Sequence, residues 1–453
     1  MPGQTKIGSQ PLFSLLPGPR PRSRDAKAEN NKLDPSDRAA HDWYRFVLSY
    51  PPHLVRSYIA KFDLGRTSRV LDPFCGTGTT LVECKKLGIA SVGVEANPMA
   101  LFATQVKTDW GVDPDELLGH AATAAQAARE ELDRWGMDDD GGLFAEKARS
   151  DRPLLALPEQ TRRILLRDSI SPLPLHKTLV LLEVLQKNAD SRFLRHELLA
   201  LAKALVSPIS NLHFGPEVGV GRIRDDAPVV GPWLGNVNRM VDDLRGLDRA
   251  GAPAAEVLLA DSRDPTGQLA PASVDAVITS PPYPNEKDYT RTTRLESALL
   301  GLITSREELK SLKRTLVRSN TRNVYKADDD DRWVESHPEI HLIADAIEKR
   351  RIELGKTSGF ERLYARVTKL YFGGMAKHLM ALRKALRPGA RLAYVVGDQA
   401  SYLRVMIRTG QLLSKIAESI GYQAIGIDLF RTRLATATRE QLREEVVLLR
   451  WPG

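Results

Sequence analysis

"SRVLDPFCGTGTTLVECKKLGIASVGVEANP", residues 68–98, decides the fold. Val70 and Leu71 belong to a short apolar run that stops at Asp72, Gly76 and Gly78 follow, Thr79 and Thr80 open a helical pattern, and a second run, Val92 to Val94, ends at Glu95. The order strand, glycine turn, helix, strand is one βαβ unit of a parallel sheet. Glycines at such a turn let the backbone bend sharply and approach a ligand without interference from a Cβ. A lone G-x-G is also compatible with a plain structural turn. The stretch has neither the G-K-[ST] of a phosphate cradle nor a third glycine at dinucleotide spacing, which disfavours a nicotinamide dehydrogenase. A carboxylate at the strand end, Asp72, repels phosphate and suits a cationic amino-acid group.

Upstream, "HDWYRFVLSYPPHLVRSYIAKFDL" (41–64) has the spacing of a helix entered through Pro51 and Pro52. Downstream, strand patterns nearly vanish from about 112 to 250, and stretches such as "SRFLRHELLALAKALV" carry helical periodicity. Strands return with "AEVLLADSRD" (255–264) and "VDAVITSPPY" (274–283). A second helical, charged segment runs from about 291 to 370. Next, "MAKHLMALRKALRPGARLAYVVGD" (375–398) predicts helix, turn and strand, and the remaining chain predicts helix, strand, strand as an antiparallel edge.

The length, 453 residues, calls for one large fold with a sizeable insertion or for two to three domains. Apolar residues make up 42% of the chain, and no run reaches the roughly 18 residues of a membrane span, so no membrane partner is expected. The N-terminus lacks a signal-peptide pattern and reads as a disordered basic leader over 1–35. Cys75 and Cys84 cannot build a disulfide scaffold, which fits a reducing cytoplasm. No Cys/His grouping suggests a metal. The formal charge of +8 permits a polyanionic partner, and solvated lysines also account for it.

Glu95, about 20 residues beyond the glycine turn, is where nucleotide-type folds place the acid that binds ribose hydroxyls. Asp261 is a third strand-end acid, suited to an adenine amino group. A loop for a cationic amino acid, a ribose acid and an adenine acid together describe S-adenosylmethionine.

Residues 41–110 and 256–450 resemble the DNA amino-methyltransferases: "DPFCGTGTT" is similar to their cofactor loop, "YPPHLVRSYI" to the segment before it, and "SPPY" to their catalytic tetrapeptide. The resemblance implies an α/β, Rossmann-like S-adenosylmethionine methyltransferase fold with a mainly parallel sheet, an antiparallel edge and helical insertions. It places Asp72, Phe74, Gly76 and Gly78 at the cofactor's methionine portion, Glu95 at the ribose, and Asp261 with Ser262 near the adenine. Tyr50, Pro51, Pro73, Thr77, Thr79, Thr80, Ala96 and Asn97 complete the expected cofactor site. The expected division is a cofactor half over 36–111, a helical insertion over 112–252, and a catalytic half over 253–453 with a helical basic insertion at about 291–370; both insertions are candidates for target recognition.

In such an enzyme the exocyclic nitrogen is a poor nucleophile, because its lone pair is delocalised into the ring. Hydrogen-bond acceptors polarise it. Ser280 Oγ and the Pro281 carbonyl each take one N–H, Pro282 fixes the backbone without a competing N–H, and Tyr283 stacks on a base flipped out of the duplex. Alone, the tetrapeptide also reads as a Pro-Pro turn with a core tyrosine. Serine at its first position is usual in the family for cytosine N4, aspartate or asparagine for adenine N6, so cytosine N4 is expected and adenine N6 is the alternative. A C5 mechanism needs a cysteine in this region, and neither cysteine is there.

"KSLKRTLVRSNTRNVYK" (310–326) carries Lys310, Lys313, Arg314, Arg318, Arg322 and Lys326 with no acid, either as DNA phosphate contacts on one helical face or as a solvated basic helix. "NEKDYTRTTR" after the tetrapeptide forms a lip in this reading, with Asn285 and Tyr289 nearest the base. His213 and Phe214 fall in a glycine-rich loop that suits entry into a groove. With a tetrapeptide of this type the catalytic half commonly comes first; here the cofactor loop leads, so the order looks circularly permuted. The expected partners are double-stranded DNA and a cognate restriction endonuclease or defence system. An RNA base methyltransferase and a catalytically silent nucleic-acid-binding protein are the other readings.

Overall fold

Parallel strands of alternating apolar character build the centre of the molecule, whose computed structural model describes residues 33–45, 49–139, 153–214, 217–248, 251–265, 267–285, 287–434 and 441–453. The leader expected over 1–35 lies outside these residues apart from Leu33 to Pro35. The strands are β1 (Arg69–Asp72), β2 (Ala90–Glu95), β3 (Leu212–Phe214), β4 (Val218–Val220), β5 (Ala255–Leu259), β6 (Val274–Thr279), β7 (Leu386–Gly397), β8 (Gln423–Leu434) and β9 (Gln441–Arg450). Seven of them form one sheet in the order β5-β2-β1-β6-β7-β9-β8. β5, β2, β1, β6 and β7 run parallel, whereas β9 pairs antiparallel with both β7 and β8. The mainly parallel sheet with an antiparallel edge is thus present.

Period-2 alternation sends neighbouring side chains to opposite faces of the sheet. Leu71, Val277, Leu392 and Tyr394 enter one buried cluster with the helix Tyr364–Leu382. Val70, Ile278, Ala393 and Val395 enter another with the helix Pro52–Lys61. Both faces are covered, as a parallel sheet requires.

The chain between β2 and β5 is mostly helical. The helices Pro114–Arg134, Pro172–Lys187, Leu194–Ala204 and Val230–Gly246 surround a buried cluster that includes Leu117, Leu181, Leu199 and Trp233. Proline opens two of these, and Asp113 caps the first by accepting from the amides of Asp115 and Glu116, each at 3.0 Å. Val82, Met99 and Val106, from the helices that follow β1 and β2, lie in the same cluster. The helical segment therefore shares its core with the sheet's own helices.

One sequence expectation needs correction here. His213 and Phe214 are not in a loop: they lie in β3, which pairs antiparallel with β4 in a small hairpin. The glycines at 215, 219 and 221 around them masked a strand of only three residues. No helix among the described residues is long and apolar enough to cross a membrane.

Candidate active site

In an open parallel sheet, ligands bind beyond the carboxyl ends of the strands, where the strand order reverses. Here that point is the β1/β6 pair: β2 and β5 lie to one side, β7 to the other. The register Val70↔Ala276, Leu71↔Val277 brings the ends of the two strands side by side. Residues 72–80 and 280–283, some 200 positions apart in sequence, therefore emerge together.

Asp72 is fully buried and ties the two segments. Its carboxylate accepts from Thr279 Oγ1 at 2.6 Å, from Tyr50 Oη at 3.0 Å and from the Phe74 amide at 3.1 Å. Tyr50 also meets the Thr80 hydroxyl, which donates to the Ile278 carbonyl at 3.1 Å. Burial pushes the Asp72 carboxyl above its ordinary value, while the bonds from Thr279, Thr80 and Tyr50 oppose the shift.

Gly76 (φ 52°) and Gly78 (φ 82°) both occupy left-handed backbone. A Cβ at Gly78 would also lie 2.7 Å from Thr104 Cγ2. Thr104 donates to the Gly76 carbonyl at 2.8 Å, and the buried Lys107 ammonium donates to the Thr77 carbonyl at 2.6 Å. Burial and nearby cations lower Lys107 to about 7. Glu95 closes the loop from the other side, its two oxygens accepting the amides of Gly76 and Asn97, each at 2.8 Å. Burial raises this carboxyl to about 7 despite those two bonds.

One cavity of about 670 Å³ joins the two segments, within the roughly 300–1,000 Å³ usual for small-molecule sites. Tyr50, Phe74, Gly76, Thr77, Thr79, Glu95, Ala96, Asn97 and Ser262 line it, together with Ser280, Pro281, Pro282 and Tyr283. Pro51, Asp72, Pro73, Gly78 and Thr80 are buried behind its surface. Asp261 is held apart from the other expected cofactor residues. Its carboxylate receives the Arg263 guanidinium, with Nη2 at 2.6 Å, and does not line the cavity, so that wall is Ser262 and Phe74. His378, which no motif marked, holds both: its ring packs against Phe74 at 4.9 Å between centroids, its Nδ1 donates to the Ser262 carbonyl at 2.5 Å, and its Nε2 accepts from Tyr394 Oη at 2.7 Å.

At the Ser280–Tyr283 end of the cavity, Ser280 Oγ donates to the Val395 carbonyl at 3.2 Å. Its oxygen stays an acceptor. Tyr283 lies beside it, with the ring against Gly397, where a Cβ would come within 2.9 Å of Cε2. Glycine at the end of β7 is therefore required for the tyrosine's position. The Asn285 amide donates to the Tyr283 carbonyl at 2.8 Å, and Asn285 and Tyr289 both line the cavity, as do Phe214, Glu217 and Val218 of the hairpin.

The basic stretch behaves differently from expectation. The helix Arg306–Thr315 includes Lys310, Lys313 and Arg314, and ends before Arg318. Arg318 is buried and forms a two-pronged ion pair with Asp328, both bonds at 2.8 Å. It is a structural cation and not available to phosphate. Lys313 pairs with Asp288 at 2.8 Å, and Arg322 pairs with Glu217. Lys310 and Lys326 are exposed. None of the six lines the cavity; Thr315, Leu316, Val317, Ser319 and Asn323 do. Among the described residues no group of His, Cys, Asp or Glu is placed to hold a metal ion.

Residues 25–105 match the family model described as DNA methylase, of the N6/N4 type. The chain is 25% identical over 446 residues to the type II methyltransferase M.BsoBI of Geobacillus stearothermophilus, covering 91% of this chain and 84% of that one. It is 24% identical over 459 residues to the type II methyltransferase M.AvaI of Nostoc sp., covering 93% and 88%. A shorter likeness, 34% over 68 residues, covers 15% of this chain and 12% of the type II methyltransferase M.MjaII of Methanocaldococcus jannaschii.

Proposed function

We propose that this chain, which the family match and the near-full-length relatives support as an S-adenosylmethionine-dependent amino-methyltransferase of DNA, methylates the N4 nitrogen of cytosine in a short duplex site. The observation that carries the reading is that the glycine loop after β1 and the Ser280–Tyr283 turn after β6 open on one cavity.

The cavity residues fit the cofactor. Glu95 lies fixed by two amides with lone pairs left for a diol, Phe74 and Ser262 offer an apolar and polar wall for a purine, and the Gly76 turn gives close backbone approach. When bound, S-adenosylmethionine supplies an electrophilic methyl group on a sulfonium centre. The protein's own residues do the rest. Ser280 Oγ and the Pro281 carbonyl accept the two amino protons of the base, drawing the nitrogen towards tetrahedral geometry and localising its lone pair. Pro282 offers no competing N–H, and Tyr283 stacks on the extruded ring. No strong base is required, because the proton becomes acidic only as the nitrogen gains its methyl group. The mechanism is a direct transfer without a covalent enzyme intermediate.

Serine at position 280 favours cytosine N4 over adenine N6. The type II designation of the relatives supports a cognate restriction endonuclease as a partner, one whose cutting this methylation blocks. Incubation of the protein with labelled S-adenosylmethionine and unmethylated duplex DNA, followed by mass spectrometry of the nucleosides, is expected to yield N4-methylcytosine. N6-methyladenine would reverse the base assignment, and label on RNA or protein alone would overturn the DNA reading.

A further inference from the structure

A flipped base reaches a catalytic cavity only if its sugar-phosphate stays at the mouth, so the charge there matters as much as the cup within. Four charged residues of the cavity wall are close to Tyr283 or to one another: Lys287, Arg431, Arg433 and Glu444. Lys287 stands four residues beyond Tyr283 in the chain. Its backbone is pinned on both sides, the amide donating to Asn285 Oδ1 at 3.1 Å and the carbonyl accepting from Asn320 Nδ2 at 3.0 Å. Arg431 and Arg433 come from β8, the far edge of the sheet, and Glu444 from β9 beside it.

The charge balance is uneven. Arg431 pairs with Glu444 at 2.6 Å, and Arg433 reaches the same carboxylate only at 3.7 Å. The ammonium of Lys287 forms no ion pair among the described residues, and burial and then Arg433 lower its pKa. The three other carboxylates on the cavity wall are already engaged: Glu95 by the Gly76 and Asn97 amides, Asp288 by Lys313 and Arg294, Glu217 by Arg291 and Arg322. Beside the tyrosine, Arg431 and Arg433 thus share the one carboxylate of Glu444, and Lys287 has no ion pair among the described residues. Lys287 and Arg431 are half-buried and Arg433 is exposed at the mouth; neighbouring cations repel each other, and the arrangement is stabilised when an anion joins it.

We propose that Lys287 and Arg433, with Arg431 steadied by Glu444, bind the DNA phosphate next to the flipped nucleotide and so hold the target base in the Ser280–Tyr283 cup. This rests on the DNA methyltransferase reading and adds to it a site outside the basic 310–326 stretch. A guanidinium offers a phosphate two parallel N–H bonds, and an ammonium adds a compact charge.

The test uses the 453-residue chain, tritiated S-adenosylmethionine and unmethylated amplified duplex DNA. Lys287→Ala and Arg433→Ala, checked for unaltered thermal unfolding, are expected to raise KM for DNA about tenfold or more with kcat and cofactor affinity within about twofold. Each should flatten the slope of log DNA affinity against log salt by about one. Lys287→Arg and Arg433→Lys should restore most of the affinity. Folded alanine variants with wild-type KM and salt slope, or with lowered kcat at unchanged KM, would overturn the rim while leaving wild-type methylation of DNA intact. Absence of any transfer to DNA by the wild type would instead strike the underlying reading, and the rim with it.

Discussion

Ser280 spends its single proton on the Val395 carbonyl, which leaves its oxygen free to act as an acceptor in the proposed transfer. Ser280→Ala removes that acceptor and leaves the cup's shape, and is expected to lower kcat roughly 10- to 100-fold, about 1.4–2.7 kcal/mol of barrier, with cofactor affinity unchanged. Single-turnover transfer to DNA measures it. Tyr283→Phe keeps the ring and should stay near wild type. Tyr283→Ala loses stacking worth about 1–3 kcal/mol and should show it in kcat/KM. Gly78 makes a different demand. Its φ of 82° and the 2.7 Å approach of Thr104 Cγ2 leave no room for a methyl group. Gly78→Ala is expected to cost about 1–3 kcal/mol of stability and to weaken cofactor binding, seen by calorimetry and thermal unfolding.

At the scale of elements, the first βαβ unit was legible because apolar runs, a glycine turn and strand-end acids fall in a fixed local order. The position of the tetrapeptide was legible too, because the apolar run of Val274–Thr279 stops at Ser280 and two prolines follow. What the sequence hid were partners set by tertiary structure: His378 behind Phe74 and Ser262, Lys107 under the Thr77 carbonyl, and Arg263 on Asp261. A lone basic residue carries no sign of where its counterion lies. Arg318 looked like its neighbours, yet Asp328 ten residues on neutralises it after the helix Arg306–Thr315 has ended. Removing one partner of a buried pair leaves the other charge uncompensated, so Arg318→Ala is expected to destabilise the fold by about 3 kcal/mol or more. The exposed Lys310→Ala should leave stability within about 0.5 kcal/mol. Parallel urea melts separate the two outcomes.

The whole molecule is stitched across its length. Trp43 Nε1 donates to Asp243 at 2.7 Å and Tyr44 Oη to Glu296 at 2.8 Å, so the segment before the first helix binds both the helical region and the chain after β6. Burial raises Glu296 to about 7, and Glu445 is also raised to about 7 by burial and by Asp398. A carboxyl whose folded pKa lies above its unfolded value of about 4.5 contributes stability fully below pH 4.5 and loses it as pH rises through about 7. Glu296→Gln removes that loss. The variant is expected to unfold later than wild type at pH 8, by on the order of 2 kcal/mol, and to differ little or be weaker at pH 5. Denaturant titrations at the two pH values decide it.

The pairing of β1 with β6 also bears on synthesis at the ribosome. β1 sits mid-sheet, but the strand that covers one of its edges is made some 200 residues later, after the whole helical region has emerged. A nascent chain therefore carries an open, apolar strand edge for many seconds at ordinary elongation rates. Chaperone supply, more than final stability, should set the yield of soluble enzyme in a heterologous host.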